Sequence, residues 1–448
     1  MNWFAYAAIS IVPVLFISYV CCYYEQAELL LGLFLIEWIV ILAAWKMLCP
    51  WLGNKSVALA VVPFLLSFCV AAVLLYESIT TFNAVWTWSD DWRYLSLSED
   101  VVTSLQSSGW NFLETWIELI SIESGQWSLS GWPFILGTVA SFVTSDPPPE
   151  MLHAIALSLN ATFLSLVLTL FFHLLNERAQ RVPWTVLICF ILLIGDPIVY
   201  AAMSLKESML QLSLMLAFVF CMKWPERFRV RWLILGLLGM AGVATSRPVY
   251  IPLILILLYW RVLDRIRLGM FIKVAIGLII IASFGGLILK FQLRETTVED
   301  RLAVNTLKGE PGLAMSVYNM PVLGPPLFYA ISPVPPLPWK LLSQEQLATT
   351  LIRSVGSVAW LLSLCYVLRG IFTHRLLLKD KLFFAAAIML TGLFIAAVIS
   401  GDDPRYKQPT NFYLALMLFL TWYYSQIRRD NLDVPKTNSP KRNSMDSN

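Results

Sequence analysis

Apolar runs recur along the chain, each about 20 residues long, and short clusters of charged residues separate them. A run of this length can cross the hydrocarbon core of a membrane as a single helix. The pattern predicts about 12 spanning helices, at residues 3–23, 27–48, 57–77, 151–175, 183–203, 208–222, 232–244, 249–263, 270–289, 351–368, 382–400 and 411–424. We therefore expect an all-α, polytopic membrane protein.

The runs at 232–244 and 249–263 are short, and only Thr245-Ser246-Arg247-Pro248 separates them. This spacing fits either a tight helical hairpin or one broken helix with a re-entrant piece. Within the first of the two runs, Gly236, Gly239 and Gly242 recur every three residues. Since no strand precedes them, they predict a face for close helix packing rather than a phosphate-binding loop.

Composition agrees with a membrane protein. Apolar residues make up 58% of the chain and charged residues 14%, against about 25% charged in soluble domains, and the mean hydropathy is +0.70. No basic tract points to nucleic acid. The 7 cysteines lie in or beside apolar runs without CxxC spacing, and the 3 histidines are scattered. The sequence therefore indicates no disulfide framework, no cofactor and no metal site.

Lysine and arginine are distributed unevenly between alternate loops. Residues 80–150 contain a single basic residue, Arg93. The positive-inside rule then places these residues outside and both termini in the cytoplasm of a multi-pass protein of the cell membrane, the inner membrane if bacterial. The basic set of loops contains Lys46, Lys55, Arg178, Arg181, Lys223, Arg227, Arg229, Arg231, Arg261, Arg265, Arg267, Arg369, Arg375, Lys379, Lys381, Arg428 and Arg429.

The two long outer loops differ in composition. Residues 80–150 are rich in tryptophan, which favours the membrane interface and predicts short helices lying along the outer leaflet. Residues 291–350 become proline-rich, which predicts an ordered but irregular lid. We expect a core at 57–427, preceded by two additional helices within 1–56 and followed by a disordered cytoplasmic tail at 428–448.

Ionisable residues collect at the predicted outer ends of the helices, where charge is costly and usually marks a function. A carboxylate can act as a general base, and lysine or arginine can bind phosphate oxygens. Outside the cytoplasm no nucleotide pool exists, so a phosphate substrate there would be a lipid phosphate. A solvated loop, a helix cap or a snorkelling arginine remains the alternative for each residue. The candidates are Asp90, Asp91, Arg93, Lys206, Glu207, Arg247, Arg405 and Tyr406.

The order of these features resembles the GT-C superfamily of integral membrane glycosyltransferases, especially protein O-mannosyltransferases and lipid A aminoarabinose transferases. Four stretches carry the resemblance. They are Asp90-Asp91-Trp92-Arg93-Tyr94, Lys206-Glu207-Ser208, the glycine-rich run that ends at Arg247-Pro248, and Arg405-Tyr406 followed by Pro409.

The resemblance implies an inverting glycosyltransferase acting on the outer face. A polyprenyl-phosphate-linked sugar would be the donor, and an envelope glycan, lipid or protein the acceptor. Asp90 or Asp91 would be the general base. The donor phosphate would be held by Lys206, Arg247, Arg405 and Tyr406, with Arg93 and Glu207 as further candidates and Trp339 closing over the site with the lid.

Two other classes stay open. A polysaccharide polymerase or O-antigen ligase also works on polyprenyl-linked glycans in the membrane. A lipid-linked glycan flippase or transporter would place charges at the midplane of its spans. The apolar runs read as clean apart from Asp196, which favours an enzyme over a transporter.

Overall fold

The computed structural model describes residues 27–49, 67, 70, 89–122, 130–175, 178, 184–202, 205–224, 229–265, 327, 330, 347–374, 376–400 and 407–433. All regular structure within these residues is helical, which confirms the all-α class. The α-helices, numbered in chain order, are α1 Ala27–Leu48, α2 Ser89–Ser107, α3 Phe112–Ile122, α4 Gly131–Ser141, α5 Pro149–Leu175, α6 Trp184–Leu193, α7 Gly195–Ala201, α8 Glu207–Lys223, α9 Val230–Ser246, α10 Ile251–Leu263, α11 Leu347–Thr373, α12 Lys381–Ser400 and α13 Pro409–Asp433.

Two helices in the described part of the chain, Pro149–Leu175 and Leu351–Thr373, are long and apolar enough to cross a membrane. The total of about 12 spans therefore stays a prediction. Predicted spans 3–23 and 270–289 lie outside the described residues. Within the predicted lid, Leu327 and Ala330 are helical, so an irregular backbone is the wrong expectation at those two residues.

Helix α5 is the centre of the packing. It is apolar around its whole circumference, as a helix enclosed by others must be, and most of its side chains are buried. Helices α1, α4, α7 and α8 all pack against it. Near its C-terminal end, the ring of Phe171 lies 5.0 Å from that of Phe190 in α6 and 5.5 Å from that of Phe419 in α13. The core therefore joins helices that are distant in sequence.

Helices α8 and α9 pack closely against each other, and glycines allow it. A Cβ atom built on Gly239 would lie 2.7 Å from the backbone nitrogen of Ala217 and from the carbonyl oxygen of Ser213. One built on Gly242 would overlap the Ser213 side chain. The predicted packing face is confirmed, because only residues without a Cβ permit this approach.

The run predicted as one helix over 183–203 is broken at Ile194 into α6 and α7. Pro197 explains the break, because proline has no N–H to donate to the carbonyl four residues earlier, that of Leu193. Asn411 of α13 replaces the missing donor, with its Nδ2 at 2.9 Å from the Leu193 oxygen. The break is therefore repaired by a side chain from the other end of the sequence.

Helices α9 and α10 form the hairpin that the sequence left open. Arg247 between them has an extended backbone, with φ −153° and ψ 83°, and one 3₁₀ turn, Pro248–Tyr250, leads into α10. At the far end of α10, Arg261 donates to the carbonyl oxygen of Met222 at 3.1 Å, at the C-terminal end of α8. Helix α10 therefore runs in the same direction as α8 and antiparallel to α9.

Loops of the basic set meet at one end of the bundle. Arg178 lies 2.7 Å from the carboxylate of Asp380, and Lys381 lies 2.5 Å from that of Asp264. The C-terminal parts of α1 and α5 meet there as well, where His173 Nδ1 lies 2.8 Å from the carbonyl oxygen of Leu48. Arg178 and Lys381 are thus each paired with a carboxylate within the described part of the protein.

Helix α1 belongs to the same bundle, and it corrects the prediction of clean apolar runs. Glu37 in α1 is only 5% exposed, and its carboxylate accepts a hydrogen bond from Ser158 of α5. Glu37 is a further acidic residue in the middle of a predicted span, besides Asp196. Glu37 was not singled out from the sequence because most of the run around it is apolar.

Short helices occupy the described part of residues 80–150, the segment predicted to be the first long outer loop. Helices α2 and α3 are joined by a turn in which Gly109 has φ +63°, and Gly137 of α4 lies against the Ser98 carbonyl of α2. Both α2 and α3 leave large apolar side chains exposed, including Trp92 at 55% and Leu113 at 70%. This exposure is what a helix at a membrane interface requires.

We expect Asn411→Leu to destabilise the protein by about 1–3 kcal/mol, because the Leu193 carbonyl is then buried without a donor. Adding Pro197→Ala restores a backbone N–H, so the same substitution should cost much less in that background. Thermal unfolding of the detergent-solubilised protein measures both values. Equal costs in the two backgrounds would contradict the repair of the helix break by Asn411.

Gly239→Ala should lower the unfolding temperature clearly, since its Cβ would meet backbone atoms that cannot yield. Gly32→Ala in α1 is the matched control, because nothing lies within 4 Å of a Cβ built there. That control should be neutral or slightly stabilising. Similar losses for both variants would argue against close packing of α8 on α9.

Candidate functional site

The turn before α8 places a lysine and a glutamate inside the protein. Lys206 is 6% exposed, and Glu207, the first residue of α8, is 3% exposed. Arg247 approaches from the end of α9, with Nη2 at 3.3 Å from Glu207 Oε1. Buried charges are tolerated when they are paired, as Arg247 is with Glu207. Lysine and arginine side chains can also bind phosphate oxygens.

Asp90 and Asp91 lie in the first turn of α2, not in a loop. One turn further along, the ring of Tyr94 faces the ammonium of Lys206, with 5.9 Å between Lys206 Nζ and the ring centroid. The helix that begins with the two aspartates therefore contacts the cationic group. Arg93, in the same turn, is exposed.

Helix α4 brings the outer-loop helices to the end of α9. A Cβ on Gly131 would lie 2.5 Å from Oγ1 of Thr245, two residues before Arg247. The contact is as close as that of α9 with α8. Three segments far apart in sequence, the starts of α2, α4 and α8, thus meet around the C-terminal end of α9.

Arg405, Tyr406 and Trp339 lie outside the described residues. Lys407, which follows Tyr406 directly, is buried, with Nζ 3.0 Å from the carbonyl oxygen of Ala330. The same ammonium lies 4.1 Å from the ring centroid of Trp360 in α11. Lys407 therefore joins the segment around residue 330 to the start of α13.

Amide side chains are further candidate residues, which the sequence pattern did not single out. Gln211 of α8 donates through Nε2 to Gln408 Oε1 at 3.0 Å, and Asn160 of α5 donates to the carbonyl oxygen of Leu205 at 3.0 Å. The first bond joins α8 to the start of α13, beside Lys407, and the second fixes the turn that presents Lys206. Asn160 and Gln211 lie inside predicted spans, and this was the available signal, because a polar residue there needs a partner.

A separate polar pocket, of about 250 Å³, lies between α2 and α3. Ser104 donates to Glu118 at 2.5 Å and lies 3.1 Å from Thr115. Partial burial, together with the nearby charge of Glu118, raises the pKa of Asp100. Within the described residues no group of histidine, cysteine, aspartate or glutamate side chains is arranged to hold a metal ion.

Comparisons with known proteins give no match. No protein-family model, no curated protein and no solved structure matches the chain.

Arg247→Met should destabilise the protein by about 3–5 kcal/mol, because Glu207 then stays buried without the guanidinium of Arg247. The double variant with Glu207→Met should recover most of this loss, since an apolar pair of similar volume needs no partner. Chemical unfolding in detergent measures both, with the exposed Arg93→Met as control. A double variant no more stable than Arg247→Met would mean that the two residues are not coupled.

Proposed function

We propose that the chain is a membrane-embedded glycosyltransferase that takes a sugar from a polyprenyl-phosphate-linked donor. It passes the sugar to an envelope glycan, lipid or protein on the outer side of the membrane. The observation that carries the proposal is the buried group of Lys206, Glu207 and Arg247 against the helix that begins with Asp90 and Asp91.

Lys206 and Arg247 act on the leaving group. When the bond between the sugar and the phosphate breaks, negative charge develops on the lipid phosphate. Cations already fixed in a desolvated site stabilise this charge without reorganisation. Glu207 holds Arg247 in place through the contact of 3.3 Å, and Arg405 and Tyr406 would approach from the start of α13, next to Lys407.

Asp90 or Asp91 acts as the base. A carboxylate in the first turn of a helix is stabilised as an anion by the helix dipole, so it stays ready to accept a proton from the acceptor hydroxyl. The turn that carries the aspartates precedes Tyr94 by about one helical pitch, roughly 5.4 Å. Inversion requires the base and the leaving-group cations to lie on opposite sides of the reacting carbon, with the base supplied by the start of α2 and the cations by Lys206 and Arg247.

An apolar groove of about 610 Å³ between α6, α11 and α13 suits the prenyl chain of the donor. Val186, Cys189, Val355, Leu362 and Trp422 line it. Its lining also includes Leu351 and Ser354, which flank Arg353 in sequence. The guanidinium of Arg353 lies 5.0 Å from the centroid of the Tyr200 ring. A lipid in the groove therefore has a cation at the end nearest to the start of α11.

A lipid-linked glycan flippase is the second candidate, and Glu37 favours it. An acidic side chain buried between α1 and α5 is the type of group that couples transport to ion or proton movement. A flippase would move the lipid-linked sugar across the bilayer and leave the sugar–phosphate bond intact. Release of free polyprenyl phosphate distinguishes the two functions.

Asp90→Asn and Asp91→Asn test the proposed transfer directly. Loss of the base should lower the transfer rate by about 10²–10⁴-fold in at least one of them. The assay uses the full chain in proteoliposomes, radiolabelled undecaprenyl-phosphate-hexose as donor probe and cell-envelope extract as acceptor source. Asp100→Asn, further along α2, is the control and should transfer normally.

Near-normal transfer by both aspartate variants would overturn the assignment of the base. Failure of the unaltered chain to release undecaprenyl phosphate from any donor in a set of hexose and pentose lipids, while still moving them across the bilayer, would favour the flippase.

A further inference from the structure

Five buried polar atoms beside the ion pair make no hydrogen bond within the described part of the structure. They are Glu207 Oε2, Ser208 Oγ, Gln211 Oε1, Ser246 Oγ and Gln408 Nε2. Each of these residues is at most 3% exposed. A buried polar atom without a partner costs about 1–3 kcal/mol, and such atoms are rare in folded proteins. A concentration of them in one place therefore indicates a ligand.

The five atoms belong to helix ends that meet. Glu207, Ser208 and Gln211 lie within the first two turns of α8, and Gln211 is four residues after Glu207, so both lie on one face. Ser246 directly precedes Arg247, which contacts Glu207. Gln408, at the start of α13, contacts Gln211. Three of the five residues thus lie in the first two turns of α8, and the other two belong to segments that contact these turns.

The glutamine pair has a specific chemistry. Two facing amides can exchange two hydrogen bonds, but Gln211 and Gln408 form only one, from Nε2 of the first to Oε1 of the second. One acceptor, Gln211 Oε1, and one donor, Gln408 Nε2, remain. A hydroxyl group can donate to the acceptor and accept from the donor at the same time. The serine hydroxyls can likewise donate to and accept from a second hydroxyl.

We infer that Ser208, Gln211, Ser246 and Gln408 form a subsite for the hydroxyl groups of an uncharged sugar, immediately beside the cations that hold the donor phosphate. The inference rests on the proposed function and adds the class of sugar. All four residues are uncharged, and their hydroxyl and amide groups suit the hydroxyls of a neutral sugar. The subsite is closed to solvent in this conformation, so binding requires the helix ends to separate.

The test compares two lipid probes bound by the full chain in detergent micelles: undecaprenyl phosphate, and the same lipid phosphate carrying a hexose or a pentose. The unaltered chain should bind at least one sugar-bearing probe more tightly than the bare lipid. Gln211→Leu and Gln408→Leu should weaken that binding about tenfold for each hydrogen bond lost. They should leave the affinity for undecaprenyl phosphate unchanged.

Ser246→Ala removes one hydroxyl with little change in shape, so it tests the subsite even if the leucine variants fold poorly. Ser213→Ala is its matched control, because the Ser213 hydroxyl donates to Met209 within α8 and lies outside the cluster. Only Ser246→Ala should lose affinity for the sugar-bearing probe. Equal affinities of the two variants for both probes would overturn the subsite.

Lys206→Ala and Arg405→Ala separate this inference from the proposed function. Both should lose affinity for undecaprenyl phosphate, with or without a sugar, whereas Lys381→Ala, at the basic end of the bundle, should not. If neither loses affinity, the phosphate site is wrong. If both do, but the unaltered chain prefers no sugar-bearing probe or prefers a uronic acid, only the sugar subsite is wrong.

Discussion

Several buried polar groups of this apolar bundle have their hydrogen-bond partners on other helices, since lipid cannot supply a partner. Asn411 donates to the Leu193 carbonyl that Pro197 leaves open. Arg247 pairs with Glu207 at the junction of α9 and α8. Such bonds orient the helix ends more specifically than apolar contacts do, since a hydrogen bond has a direction and a narrow range of length. The candidate site is built from the same bonds.

The two ends of the bundle use charge differently. At the basic end, Arg178 pairs with Asp380, and Lys381 pairs with Asp264 beside solvent. The pair of Lys381 and Asp264 is partly exposed to solvent, and a pair of this kind contributes little to stability. At the other end, the ammonium of Lys206 is buried against an aromatic ring. The richest cluster of basic residues in the sequence is therefore not the best candidate site.

Sequence patterning predicted the helices well, because an apolar run and its charged ends are local properties. It also placed Lys206, Glu207 and Arg247 on one side of the protein, by alternating the loops. It could not predict that Gln211 meets Gln408, since that pairing depends on how α8 and α13 pack. Glu37 was missed because a single carboxylate barely alters the hydropathy of a long run, and its partner lies on another helix.

The glycines of α9 fix more than a distance between two helices. With Gly239 seated against the backbone at Ser213 and Ala217, α9 cannot slide along α8 without a steric clash. One residue of sliding would move the end of α9 by about 1.5 Å, enough to break a contact of 3.3 Å such as that between Arg247 and Glu207. The glycines of α9 therefore fix its position along the helix axis, and with it the position of Arg247 two helical turns away.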